Sequence, residues 1–403
     1  MVQAEEYKDD EMPTNTLETF SELEEVLKMI GELNQVFDKN FEKTYEKYAE
    51  IFSLYQEQPH LLDSHIPQLI EVLLTIIQGD STPDGLVHAA FKYLYQVCKV
   101  RTFKVFVKFL PHELADIDFV LNMLENQKLE ETDNWETRYM CLLWMSILVL
   151  NPFHFSRLDA SEAGDNSSLS KMERIFRVSK NNCRGNDPCS AVASFLSAKF
   201  LVRNEIKDIY LLPFLDWAFE ETNLDPMNVR YGALQAIAAI LKHGKREDLL
   251  QYAPKILKWI LGQDFKESSD FLKNKYYIKI IQRLGLIFMP PKIAVWRYNR
   301  GSRSLQTNLS ASADKAIEFG STTVTPIDDD VEVPDEIEEV VEQLLFGLRS
   351  ASGDVRWLSA KGIGRVTNRL PKEMGDEVVG SVIEILSPLE QHEAWHGKLG
   401  WWK

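Results

Sequence analysis

The string WRYNRGSRSL places Arg297, Arg300 and Arg303 beside Trp296 and Tyr298, a short stretch that combines several guanidinium groups with aromatic rings. Guanidinium groups grip carboxylates through paired N–H donors, and an indole stacks on planar or cationic groups, so Trp296, Arg297, Arg300 and Arg303 are the candidate partner-binding residues. The plainer reading is that these arginines offset a nearby acidic run or are solvated. Catalytic patterns come close and fail. His112 and Glu113 open like a zinc-protease helix, but Asp116 stands where the second histidine belongs. Cys183 and Cys189 have no second pair and no neighbouring histidine, a poor spacing for zinc or redox chemistry. Gly79 to Gly85 lacks the lysine and hydroxyl of a phosphate-binding loop. Gly362 and Gly364 have no preceding strand, and close helix packing explains them better. There is no nucleophile elbow and the eight histidines do not cluster, so neither an enzyme nor a cofactor is expected.

The elements that would position a binding surface are repeated helices. DPMNVRYGALQAIAAIL starts at Asp225, DVRWLSAKGIGRV at Asp354, and a looser WETRYMCLLWMSIL at Trp135. Each reads as the start of a packed inner helix, with the aspartates as caps and small residues allowing close approach. Arg138 and Arg230 are 92 residues apart, twice 46, within the range of two-helix HEAT or armadillo repeats. One step of 46 back from Arg138 falls in the stripe Ala89 to Val100, and one forward falls just before Cys189 to Val202. One step beyond Arg230 reaches Tyr276 to Phe288. Arg356 lies 126 residues after Arg230 rather than 92, and the excess of 34 matches the polar stretch at about 300–334. The expected fold is all-α, a HEAT/armadillo-like solenoid of stacked antiparallel helix pairs, and such folds usually bind other proteins.

At 403 residues and 45% hydrophobic content the chain can bury a large core. The apolar stretch Met140 to Leu150 is about half of a bilayer span, and the amino terminus is acidic, so neither a membrane span nor a secretory signal is expected. Four scattered cysteines suit reduced thiols in the cytosol. Of the net charge of −16, residues 1–25 carry −8 and residues 328–342 carry −9, which leaves the rest near neutral and argues against general nucleic-acid binding. The acidic run, with Asp328, Asp329, Asp330, Glu332, Asp335, Glu336, Glu338 and Glu339, reads as a solvated linker leading into an acid-capped helix.

Along the chain, residues 1–16 read as a disordered acidic tail, 17–300 as repeats, 301–334 as a polar, acidic inserted loop, 335–397 as further repeats, and 398–403 as an atypical end. Thr16 to Asp38 and Phe41 to Leu54 read as the first two helices, and a new repeat is expected to begin at Val378. Lacking an apolar stripe, 303–334 is expected to be cut first in limited proteolysis.

Specific strings add to this pattern. FKVFVKFLPHELADID (from Phe103), WETRYMCLLWMSILVLNPFHFSRLD (Trp135), VRYGALQAIAAILKHGKREDLL (Val229), WRYNRGSRSL (Trp296), DVRWLSAKGIGRVTNRLP (Asp354), VVGSVIE (Val378) and AWHG (Ala394) resemble, in order, the amino-terminal third of the tubulin-folding cofactor D family. The resemblance implies a non-enzymatic HEAT-repeat chaperone, cytoplasmic and cytoskeleton-associated. Such a chaperone binds β-tubulin, joins cofactors E and C and an Arl-type small GTPase, and assembles or dismantles the tubulin heterodimer. Stimulated GTP hydrolysis in that family occurs on tubulin, so no catalytic residue is carried over. Members continue to roughly three times this length, whereas here AWHG runs into KLGWWK. That end reads as a truncated product or a mispredicted gene model, and a truncation is expected to weaken tubulin binding and to abolish unaided assembly. The alternative is another HEAT scaffold, such as a nuclear transport receptor or a phosphatase scaffold.

Overall fold

A computed structural model describes residues 18–79, 81–129, 133–159, 169–185, 187–223, 231–263, 270–292 and 332–385. Candidate residues Trp296, Arg297, Arg300 and Arg303 lie outside these, as do Asp225, Arg230, the tail 1–16, the end 398–403 and nearly all of 301–334. The chain forms two compact units, Met1–Ile206 and Lys207–Lys403. All regular structure among the described residues is helical.

The first unit contains α1 (Leu23–Gly31), α2 (Phe41–Ser53), α3 (Ile66–Ile77), α4 (Asp84–Arg101), α5 (Ala115–Asn126), α6 (Trp135–Leu148), α7 (Lys171–Asn182) and α8 (Pro188–Leu201). Helices α4, α6 and α8 pack on one another in sequence as an inner row. Each of α3, α5 and α7 packs on the inner helix that follows it. The connections are short, and helices that pack after a short connection run antiparallel. Sequence composition sorts the rows. Helix α6 buries Glu136, Thr137 and Arg138, then Met140 through Met145, Ser146 and Leu148, so only a central position accommodates it. Helix α7 buries Ile175 and Val178 on one side, and of its charged residues only Lys171, paired with Asp118, is buried.

The second unit contains α9 (Leu212–Asn223), α10 (Tyr231–His243), α11 (Ala253–Leu261), α12 (Phe271–Phe288), α13 (Glu336–Gly347), α14 (Gly353–Thr367) and α15 (Lys372–Glu384). Its inner row is α10, α12 and α14, with α9 on α10, α11 on α12, α13 against both α12 and α14, and α15 against α13 and α14. Two glycines set the closeness of that packing. A Cβ on Gly285 would lie 2.8 Å from Val366 and 2.9 Å from Val340, and one on Gly362 would lie 2.9 Å from both Gln282 and Leu344. Three helices therefore meet where only hydrogen fits.

Hydrogen bonds between successive repeats measure the period directly. In the first unit most join residues 49 to 54 apart, from Arg174–Glu125 and Arg138–Asp187 to Arg203–Val149, while Gln78–Asp116 joins residues 38 apart. In the second they join residues 39 to 45 apart, from Tyr231–Asp270 to Arg283–Ala238. The constant 46 expected from the arginine spacing is thus the average of a longer and a shorter repeat, because loop length between helices is unconstrained by their packing. From α12 to α14 the separation jumps to between 79 and 83 in the Lys275–Asp354 and Arg369–Leu286 bonds.

Aspartates do begin inner helices, and each is clasped by the inner helix before it. Asp187 accepts from the Ser190 amide at 3.2 Å and from Arg138 Nη2 at 2.7 Å. Asp270 accepts from the Leu272 and Lys273 amides at 3.0 Å and from the Tyr231 hydroxyl at 2.8 Å. Asp354 departs from the expected cap. The N-cap position is Ser352, and Asp354 in the first turn instead accepts from Lys275 Nζ at 2.5 Å. Two further expectations are corrected. The first helix is broken, with α1 ending at Gly31 and a separate turn of helix at Leu33–Val36, and the repeat placed at Val378 begins earlier, at Lys372, directly after Pro371.

Candidate partner-binding surface

The charges of the second unit separate by row. Helix α12, FLKNKYYIKIIQRLGLIF, has no acidic residue and α14 has only Asp354, whereas outer helix α13 opens with Glu336, Glu338 and Glu339. On α14 the exposed positions Asp354, Trp357, Lys361 and Arg365 recur at helical spacing and form one stripe. On α12 the part-exposed positions Lys275, Lys279 and Arg283 do the same. Two bonds fix these stripes side by side. Lys275 reaches Asp354 at one end, and at the other Arg369 Nη1 donates to the Leu286 and Met289 carbonyls at 2.6 and 2.7 Å.

Guanidinium groups gather at the carboxyl-terminal end of this row. Arg246 Nη2 donates to the Phe288 carbonyl at 2.9 Å, and Arg283 donates to the Ala238 carbonyl. Burial, and then the charge of Arg365, lower the Arg283 pKa to about 10. Burial, Arg246 and Arg365 lower that of Arg369. Helix carboxyl termini offer partial negative charge, which accounts for the bonds to carbonyls. Among the described residues no carboxylate lies within ion-pair distance of Arg246, Arg283, Arg365 or Arg369. At the other end of the stripe Trp357 is 47% exposed and Phe271 52% exposed.

Two of the three arginines of the repeated sequence pattern, Arg138 and Arg356, have structural roles. Arg138 is buried against Asp187, and Arg356 donates to the Ser350 and Ala351 carbonyls at 2.7 and 2.8 Å. The basic face was missed in the sequence because its cations lie four residues apart on two helices separated by the long connection. The signal that could have found it is the absence of acid from α12 and almost all of α14.

No group of three or more His, Cys, Asp or Glu side chains among the described residues is arranged to hold a metal. Asp116 accepts from Gln78 Nε2 at 3.2 Å and, with Glu113 and Pro67, lines an open cavity of about 360 Å³. All four thiols are buried. Burial raises Cys183 and Cys189 to about 12 and Cys98 and Cys141 further, so thiolate is scarce. In native protein a maleimide probe near neutral pH should label none of the four, and in denaturant all four. Rapid native labelling would contradict their burial.

His88 Nδ1 lies 2.7 Å from Thr137 Oγ1 beside a cavity of about 300 Å³. Burial lowers its pKa below the ordinary 6.5, Lys92 adds to the effect, and Asp133 and Glu42 oppose it. The unfolded chain therefore takes up the proton first. Stability should be constant above 6.5 and decline as pH falls from 6.5 toward the folded value. His88→Gln should flatten that decline in denaturant melts, and an equally steep decline in the variant would rule out His88 as its source.

The family pattern "Tubulin-specific chaperone D-like, ARM repeat" matches residues 52–222, and a second, "Tubulin-specific chaperone D-like, ARM repeats", matches residues 272–399. The chain belongs to this family. Family relatives include a tubulin-specific chaperone D of Dictyostelium discoideum, 24% identical over 93% of this chain and 34% of its own length. A tubulin-folding cofactor D of Schizosaccharomyces pombe is 23% identical over 90% of this chain and 32% of its own length. The chain thus spans about a third of the length of these relatives. An engineered protein of solved structure aligns over 93% of this chain and 87% of its own at 12% identity with a TM-score of 0.34, too loose to add to the argument. The family matches agree with the helical-repeat fold of both units. No helix among the described residues is long and apolar enough to cross a membrane.

Proposed function

We propose that the chain is a tubulin-folding chaperone, or the portion of one that holds its amino-terminal repeats. In this reading it binds β-tubulin in the cytoplasm, works with tubulin-folding cofactors E and C and an Arl-type small GTPase, and takes part in assembling and dismantling the tubulin heterodimer. The single observation that carries the reading is the match to one tubulin-chaperone family in both units. Stacked helix pairs suit the role, since they offer a long surface to a folded client and need no catalytic group of their own. The test is affinity purification of the full 403-residue chain from cell extract, followed by refolding of tubulin with the other cofactors added. Recovery of β-tubulin, with cofactor-dependent heterodimer formation, is the expected result. Recovery of a Ran-type GTPase or of a phosphatase catalytic subunit in place of tubulin would favour the scaffold alternative.

A further inference from the structure

Among the described residues, no carboxylate faces the guanidinium cluster of the second unit. Arg246 and Arg369 converge on neighbouring carbonyls of the last turn of α12, Phe288, Leu286 and Met289. Arg283 lies on α12 itself, one turn earlier, and Arg365 lies on α14 one turn before Arg369. Carbonyl dipoles neutralise only part of this charge, because a helix end carries roughly half an elementary charge. Donors also remain. Each guanidinium has five N–H groups, of which Arg283 and Arg246 each use one in a hydrogen bond, and Arg246 Nε is buried with no partner. Arg365 is exposed, with its donors available to an incoming group.

The same stripe supplies a second kind of contact. Trp357, Lys361 and Arg365 stand at i, i+4 and i+8 on α14, so the exposed indole and the Arg365 guanidinium are about 12 Å apart along the helix. An extended polypeptide covers that distance in about four residues. We propose that the solvent face of α12 and α14 is a docking site for a short acidic segment of a partner protein, with carboxylates held by Arg365 and its neighbouring arginines and an apolar residue about four positions away against Trp357. Charge complementarity argues for this occupant. A nucleic acid needs cations along its whole path, whereas this basic stripe ends at Asp354 in a chain of net charge −16. The inference deepens the chaperone reading by naming a contact for a client or co-chaperone, and its test uses a synthetic probe so that the two can fail separately.

The probe is a fluorescent oligoglutamate peptide carrying one leucine four residues from its acidic end, titrated into the full chain at low and at high salt. Binding that weakens with salt is expected, with Arg365→Glu weakening it about tenfold or more, the effect of losing charge-assisted hydrogen bonds. Trp357→Ala should weaken the leucine-containing probe but not oligoglutamate alone. Lys258→Glu, the same change of charge at an exposed site on α11, should leave binding unchanged, and circular dichroism and melting of each variant report on folding. No binding at low salt overturns the proposal, as does binding as tight as that of the unaltered chain by both Arg365→Glu and the Lys361→Glu/Arg365→Glu double variant. Tighter binding of a single-stranded oligonucleotide or of anionic lipid vesicles at this face would also overturn it. Loss of tubulin recovery with peptide binding intact would count against the chaperone reading alone.

Discussion

Ala360→Glu should lower the stability of the second unit by about 3–5 kcal/mol, the cost of a buried charge without a partner. Ala360 is 1% exposed on α14, between Ser359, fully buried, and the glycine contacts that seat this helix against α12 and α13. A carboxylate there can reach water only if α14 shifts away from its neighbours, and the narrow spacing at Gly362 and Gly285 leaves no slack for that. Marginal folds hold about 5–15 kcal/mol in total, so the variant should melt far earlier or be recovered unfolded. Ala360→Ser, which adds one hydroxyl able to bond a carbonyl one turn back, should lose much less. A denaturation midpoint unchanged in the Glu variant would mean that α14 does not occupy this position in the row.

Arg138→Glu should cost the first unit a similar amount, about 3–5 kcal/mol, the range for breaking a buried ion pair and leaving an uncompensated charge. Arg138 is 4% exposed, with Nη2 on Asp187 and Nη1 on the Lys128 carbonyl at 3.2 Å. The new carboxylate would face Asp187, whose side chain must stay where it is to cap α8 through the Ser190 amide. Repulsion at this point therefore also weakens a helix start in the next repeat. Asp187→Asn in the same chain keeps the cap, because an amide oxygen accepts the same hydrogen bond, and should restore part of the loss. Double-mutant cycles in urea measure that recovery. If Arg138→Glu and Asp187→Asn prove additive, the clasp between successive inner helices does not carry the stability assigned to it here.

Much of the fold was legible before any coordinates. Apolar residues at helical spacing without alternation specify helices, and the burial of α6 on nearly all sides follows from the run MCLLWM, from Met140 to Met145, being apolar around the helix, while the burial of Glu136 and Arg138 does not. Asp187, directly before Pro188 and three residues before Ser190, is a local capping pattern, and the structure has that cap. Asp354 shows the limit of such reasoning. An aspartate near a helix start satisfies the same local pattern as cap or as first-turn residue, and Lys275, 79 residues away, provides the partner that distinguishes them. The uniform period failed for a related reason. Packing fixes how helices meet, while the loops that join them are free to differ, so repeat length averages over two units that keep different values.

The candidate site divides in the same way. Trp296, Arg297, Arg300 and Arg303 attract notice because their chemistry is concentrated in a few consecutive residues, and they lie outside the described residues. The basic face attracts none, because Arg246, Arg283, Arg365 and Arg369 are spread over more than a hundred positions. The sequence by itself determined the helical class, the inner character of the three helices with the repeated pattern, the lack of a sequence pattern for catalysis and the family strings, because these depend on residue types at short range. Tertiary structure alone decided which charges become neighbours, since the pairing of α12 with α14 across a long connection is set by Gly285, Gly362 and the apolar surfaces that meet there.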